Sequence, residues 1–153
     1  MRHLKINSIF MSAVVALASC APIHSSAEMQ IVAHGLSYHT HPRMSGQPWN
    51  VFNGGLALRY VPEGGALSYQ AGGYRDSVFQ PTLYGLADYT PVQSGPYALG
   101  GFAGAKQSKT TSLRPIAGLV VRYSANGWAV ASRLAPAPQS KGAVITLELS
   151  KSF

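Results

Sequence analysis

The sequence predicts an all-β fold, an eight-stranded antiparallel up-and-down transmembrane β-barrel. Three observations carry this. After residue 29 no stretch shows the i, i+3, i+4, i+7 recurrence of an amphipathic helix. Eight segments of about ten residues recur between Gly, Pro, Ser and Asn breakers, and about 9–11 residues is what a tilted strand needs to cross a bilayer. Within the segments apolar and polar residues alternate with period two, as in a barrel with lipid outside and a polar lumen.

The first segment, Gln30–His39, ends in a polar loop, Thr40–Asn50. In Val51–Val61, Phe52, Leu56, Leu58 and Tyr60 alternate with Asn53, Gly55, Ala57 and Arg59, and Pro62–Gly65 stops the run. Ala66–Arg75 leads to Asp76–Phe79, then come Gln80–Thr90 and Pro96–Ala105, followed by a second polar loop, Lys106–Leu113. In Arg114–Ser124, Ala117, Leu119, Val121 and Tyr123 alternate with Gly118, Val120, Arg122 and Ser124. A short Ala125–Asn126 link precedes Gly127–Ala135, and Gly142–Phe153 closes the chain. There Ile145, Leu147, Leu149 and Phe153 oppose Thr146, Glu148, Ser150 and Ser152.

A soluble sandwich would alternate similarly with its apolar face inward. Three features favour the membrane. Tyr60, Tyr74, Tyr89 and Tyr123 fall near segment ends, where an interfacial girdle belongs, and short and long connections alternate. The terminal Phe153 resembles the final-strand signal through which barrel-insertion machinery recognises outer-membrane proteins. The inward set includes Gly55, Ala57, Gly118 and Ser124, small residues that either leave room for an acyl chain or fit the taper of a packed barrel.

With 153 residues the chain holds one principal domain, expected over residues 28–153. Ten Pro and sixteen Gly exclude a helical bundle, and a single Cys excludes a disulfide scaffold or Cys-based zinc site. Residues 1–20 read as a signal peptide: Arg2, His3 and Lys5 precede an apolar run, Ile9–Ala18, too short to span a bilayer. Leu17-Ala18-Ser19-Cys20 resembles a lipobox with Cys20 as the lipidated residue; cleavage near Ala27 is the alternative. Either route exports the protein. The remaining basic residues sit singly, often near presumed strand ends, which argues against nucleic acid and allows an anionic lipid surface as partner.

The expected topology brings His34, Asp76 and Ser77 to one rim. They are the residue types of acyl transfer, a base, its orienting carboxylate and a hydroxyl; Asp-Ser is also ordinary turn chemistry and a rim His ordinary amphipathic surface. His39 and His41 are spaced to share a strand face, but no third ligand is evident and no metal site is expected. The pattern around these residues resembles the outer-membrane lipid A palmitoyltransferase (PagP-like) family. It is carried by Ile31-Val32-Ala33-His34, Gln47-Pro48-Trp49, the glycine-rich Asn53–Leu58, Tyr74-Arg75-Asp76-Ser77, then Pro81, Gly85 and the Pro115–Tyr123 run. The resemblance covers most of the chain after the signal, and it implies catalytic roles for His34, Asp76 and Ser77.

That resemblance implies an enzyme moving an acyl chain from a membrane phospholipid to lipid A; no cofactor is expected, and a monomer is. Arg43 and Arg75 would bind the lipid A phosphates. The family's amphipathic N-terminal helix has no room in residues 21–29, and the glycine that limits acyl length has two competing counterparts, Gly85 and Leu86. The alternative is a non-catalytic small outer-membrane barrel or lipoprotein serving structure, adhesion or phage interaction.

Overall fold

The computed structural model describes residues 27–153 apart from residues 44, 110 and 138–140. The signal segment and Cys20 lie outside the described residues. Eight strands follow one another: β1 (Glu28–His39), β2 (Phe52–Val61), β3 (Leu67–Arg75), β4 (Pro81–Ser94), β5 (Tyr97–Ser108), β6 (Arg114–Ala125), β7 (Trp128–Ala137) and β8 (Gly142–Ser152). Each pairs antiparallel with its chain neighbours, and β1 pairs with β8 to close the barrel. Closure satisfies the edge groups that hydrocarbon could not hydrogen-bond.

The turns explain the order. Asn126 and Gly127 both take positive φ, 53° and 72°, as a two-residue I′ hairpin requires. Gly95, at φ 55°, precedes Pro96 in the arrangement of a II′ turn. These turns, the β2–β3 connection and Glu28 and Ser152 mark one end of the barrel, the turn end. The long β1–β2 connection and the β3–β4, β5–β6 and β7–β8 connections form the loop end.

Alternation decides what surrounds the barrel. Leu56, Leu58, Leu83, Leu119 and Leu149 point outward and are exposed, whereas Arg59 and Asp88 point inward with no exposed surface. Apolar outside and charged inside inverts a soluble sandwich and suits lipid. Two buried arginines, Arg122 and Arg133, reach Asp88 at 2.8 Å each; Arg59 reaches Glu148 at 3.0 Å, and Arg133 also pairs with Glu148. Gln30, Gln70, Ser68 and Ser150 complete this belt. It fills the middle of the lumen and separates a turn-end cavity from the loop-end cavities.

Arg59, Asp88, Arg122, Arg133 and Glu148 turn into the lumen, where opposite charges offset their desolvation. Two expectations need correction. Tyr60, Tyr89 and Tyr123 do face outward, but Tyr74 turns inward against His34 and Tyr84. The fourth and fifth strands also run further than expected. An irregularity between Tyr89 and Val92 carries β4 to Ser94, and Lys106–Ser108 remain paired with Thr82–Tyr84, so the loop expected from Lys106 starts after Ser108.

Candidate functional site

His34 points into the lumen from β1, just before a bulge that re-phases the strand between His34 and Ser37. Its Nε2 lies 2.7 Å from the Tyr84 hydroxyl and its Nδ1 3.5 Å from Glu148 Oε1. Both contacts are met by one neutral tautomer, with Nδ1–H towards the carboxylate and Nε2 accepting the phenol proton. Gln70 donates to the Tyr84 oxygen and ties this group to the charged belt. Tyr74 and Tyr84 rings pack against the imidazole, each 5.2 Å between centroids.

The carboxylate beside His34 is therefore Glu148, not Asp76. Asp76 Oδ1 accepts the backbone N–H groups of Val78 (2.9 Å) and Gln80 (2.8 Å), and Oδ2 accepts the Thr82 hydroxyl at 3.2 Å. These bonds hold the β3–β4 connection, where Phe79 takes a positive φ of 65°. Ser77 stands on that connection with its Oγ 3.3 Å from both Ser37 Oγ and Asn53 Nδ2. His34 and Ser77 line adjoining cavities that share Asn53, Tyr74 and Lys106. The lower, about 90 Å³, reaches Leu86 and Phe102; the upper, about 290 Å³, opens at the loop end.

Arg43 and Arg75 stand at the rim rather than in the chamber. Arg75 is exposed on the outer wall, where its Nε donates to the Phe79 carbonyl oxygen at 3.3 Å. The Arg43 guanidinium lies 5.8 Å from the Trp49 ring centre. His39 stacks on Trp49 at 3.9 Å and lines the upper cavity, whereas His41 Nδ1 lies 3.0 Å from Thr40 Oγ1. Among the described residues no three His, Cys, Asp or Glu gather as metal ligands would. Gly85 faces outward and Leu86 inward, so Leu86 bounds the chamber.

Among the described residues the wall of the upper cavity is incomplete. Pairing of β6 with β7 ends at Leu119 and Leu134. Both strands continue towards the loop end, β6 through Arg114–Gly118 held by β5 and β7 through Ala135–Ala137 held by β8. Each carries a proline there, Pro115 and Pro136, and proline has no N–H to give a ladder. Both prolines line the upper cavity, so it meets the outer wall at this gap.

No family profile matches the chain, and no curated protein sequence does. Similar solved structures exist. A de novo designed transmembrane β-barrel superposes with a TM-score of 0.62 at 10% identity, covering 86% of this chain and 100% of its own. The outer membrane protein Ail of Yersinia pestis, in a phospholipid bilayer nanodisc, gives 0.51 at 13% identity over 84% of this chain and 100% of its own. The fold is that of a transmembrane barrel. At these identities the likeness concerns architecture alone, and chemistry must be argued from the lumen of the barrel. There, reading the sequence missed Tyr84, Glu148 and Lys106. Glu148 carried a visible signal: a lone carboxylate on the polar face of a membrane strand needs a partner.

Proposed function

We propose that this barrel is an outer-membrane acyltransferase that takes an acyl chain from a phospholipid through the β6–β7 gap and passes it to a hydroxyl of lipid A. The observation that carries the reading is the gap, a break in the wall beside a chamber that holds a histidine with its carboxylate. The acceptor class rests on the resemblance of the His34, Trp49 and Tyr74–Ser77 motifs.

An acceptor hydroxyl taking the place of the Tyr84 phenol would meet Nε2 of His34, with Glu148 behind Nδ1. As His34 removes the proton, the acceptor oxygen forms the new ester bond. The old ester C–O bond breaks, and the departing glycerol oxygen takes the proton from the imidazole. Ser77 would donate to the carbonyl oxygen of the ester, with Asn53 beside it. Asp76 acts here as a positioning residue that shapes the connection bearing Ser77. Arg43 and Arg75 at the rim would meet phosphates of the acceptor. The lower chamber, at about 90 Å³, falls well short of the roughly 300–1,000 Å³ of ordinary ligand sites, which favours short acyl chains.

The test is the mass spectrum of lipid A from outer membranes carrying the wild-type chain, His34→Asn or Ser77→Ala. One added acyl chain with the wild type, absent from variants that retain heat-modifiable gel migration, is the expected result. An inserted wild-type barrel that adds nothing, after a chelator has disturbed the outer leaflet, would overturn the reading in favour of a non-catalytic barrel.

A further inference from the structure

Each arginine of the central belt has an ion-pair partner, but among the described residues two cations of the upper cavity have none. Lys106 projects inward from β5 and lines both the lower and upper cavities. Arg114, its direct cross-strand neighbour on β6, lies at the loop-end edge of the gap. Among the described residues neither side chain has an acid within ion-pair distance, whereas Arg59 and Arg122 each have one and Arg133 has two. Across the same cavity both ring nitrogens of His39 are buried without a hydrogen-bond partner among the described residues. The acid in that lining, Asp76, already accepts two backbone N–H groups and a hydroxyl. The remaining wall is mostly apolar, including Val78, Ile116 and Val144.

We propose that Lys106, Arg114 and His39 form a phosphate site that holds the headgroup of an anionic glycerolipid while its acyl chain lies in the gap. An unmatched ammonium and guanidinium side by side suit one phosphodiester, which accepts from both. The apolar wall beside them suits the chain attached to that phosphate, so the occupant is a lipid rather than free phosphate. The proposal rests on the acyltransferase reading in taking the gap as the lipid's route. It adds donor-binding residues outside the reacting group.

The test measures binding, which separates it from catalysis. Full chain refolded in octyl glucoside is titrated by native mass spectrometry with dihexanoyl phosphatidylglycerol, dihexanoylglycerol and glycerol 3-phosphate. Phosphatidylglycerol should bind at least about tenfold more tightly than the other two, the effect of roughly one charge-assisted contact or more. Lys106→Gln should remove that preference, Lys106→Arg should keep it, and Lys109→Gln, on an exposed loop residue, should leave it unchanged. Equal binding of dihexanoylglycerol, equal binding of glycerol 3-phosphate, or a folded Lys106→Gln chain with wild-type preference would each overturn the site. Phosphatidylglycerol held through Lys106 by a chain that leaves lipid A unmodified would reject the transferase reading and keep the site.

Discussion

Arg133 and Asp88 face each other at 2.8 Å in the lumen, yet removing them should have unequal effects. In Asp88→Asn the Arg122 guanidinium loses its acid and keeps Ser68 at 3.3 Å, while Arg133 still has Glu148. Arg122 is then left without an acid while Arg59 and Arg133 share Glu148, which costs about 3–5 kcal/mol. In Arg133→Met, Asp88 retains Arg122 at 2.8 Å and Glu148 retains Arg59 at 3.0 Å. Every remaining charge is paired, and the methionine can pack against Phe102, over which Arg133 now lies at 5.6 Å. The loss should be that of buried hydrogen bonds, about 1–3 kcal/mol. Urea unfolding of barrels refolded in phosphatidylcholine vesicles, followed by tryptophan fluorescence, should place Asp88→Asn about 2 kcal/mol below Arg133→Met. Equal losses, or a larger one for Arg133→Met, would refute the view that charge matching governs the belt.

Other expectations follow from the chamber. Tyr84→Phe removes a hydroxyl shared by His34 and Gln70 and should destabilise the barrel by about 1–2 kcal/mol in the same unfolding assay; if Tyr84 only occupies the acceptor's place, lipid A modification should persist. Leu86→Gly should deepen the chamber and admit longer acyl chains, read from lipid A masses, whereas Gly85→Leu, facing lipid, should not alter chain length. Restoring N–H groups with Pro115→Val and Pro136→Val should extend the β6–β7 ladder. Stability should rise by about 1 kcal/mol per bond formed, and transfer should slow as the gap closes, measured as lipid A modified per unit of folded protein.

Strand count, order and closure were legible because each depends on local signals: breaker residues between alternating runs, such as Pro62–Gly65 and the short Ala125–Asn126 link. Strand ends were less so. Nothing local announces that Lys106–Ser108 pair with Thr82–Tyr84, because that pairing follows from where the Tyr89–Val92 irregularity resets the register. The site was legible by residue type more than by partnership. His34 and Ser77 line adjoining cavities, but the carboxylate at His34 comes from β8, more than a hundred residues on, and only barrel closure brings it there. Asp76 was attractive from its neighbour Ser77, and its geometry is that of a turn.

The belt also bears on how such a chain gets into a membrane. Glu148, on the last strand, is the acid that serves Arg59 and half of the need of Arg133. A nascent or truncated chain without β8 would carry those arginines towards hydrocarbon with Asp88 alone to offset them, and it would expose an open edge. Partial products are thus penalised twice until the final segment docks against β1. Barrel closure and charge neutralisation are one event, in which the strand that seals the wall also supplies the charge that lets the others stay.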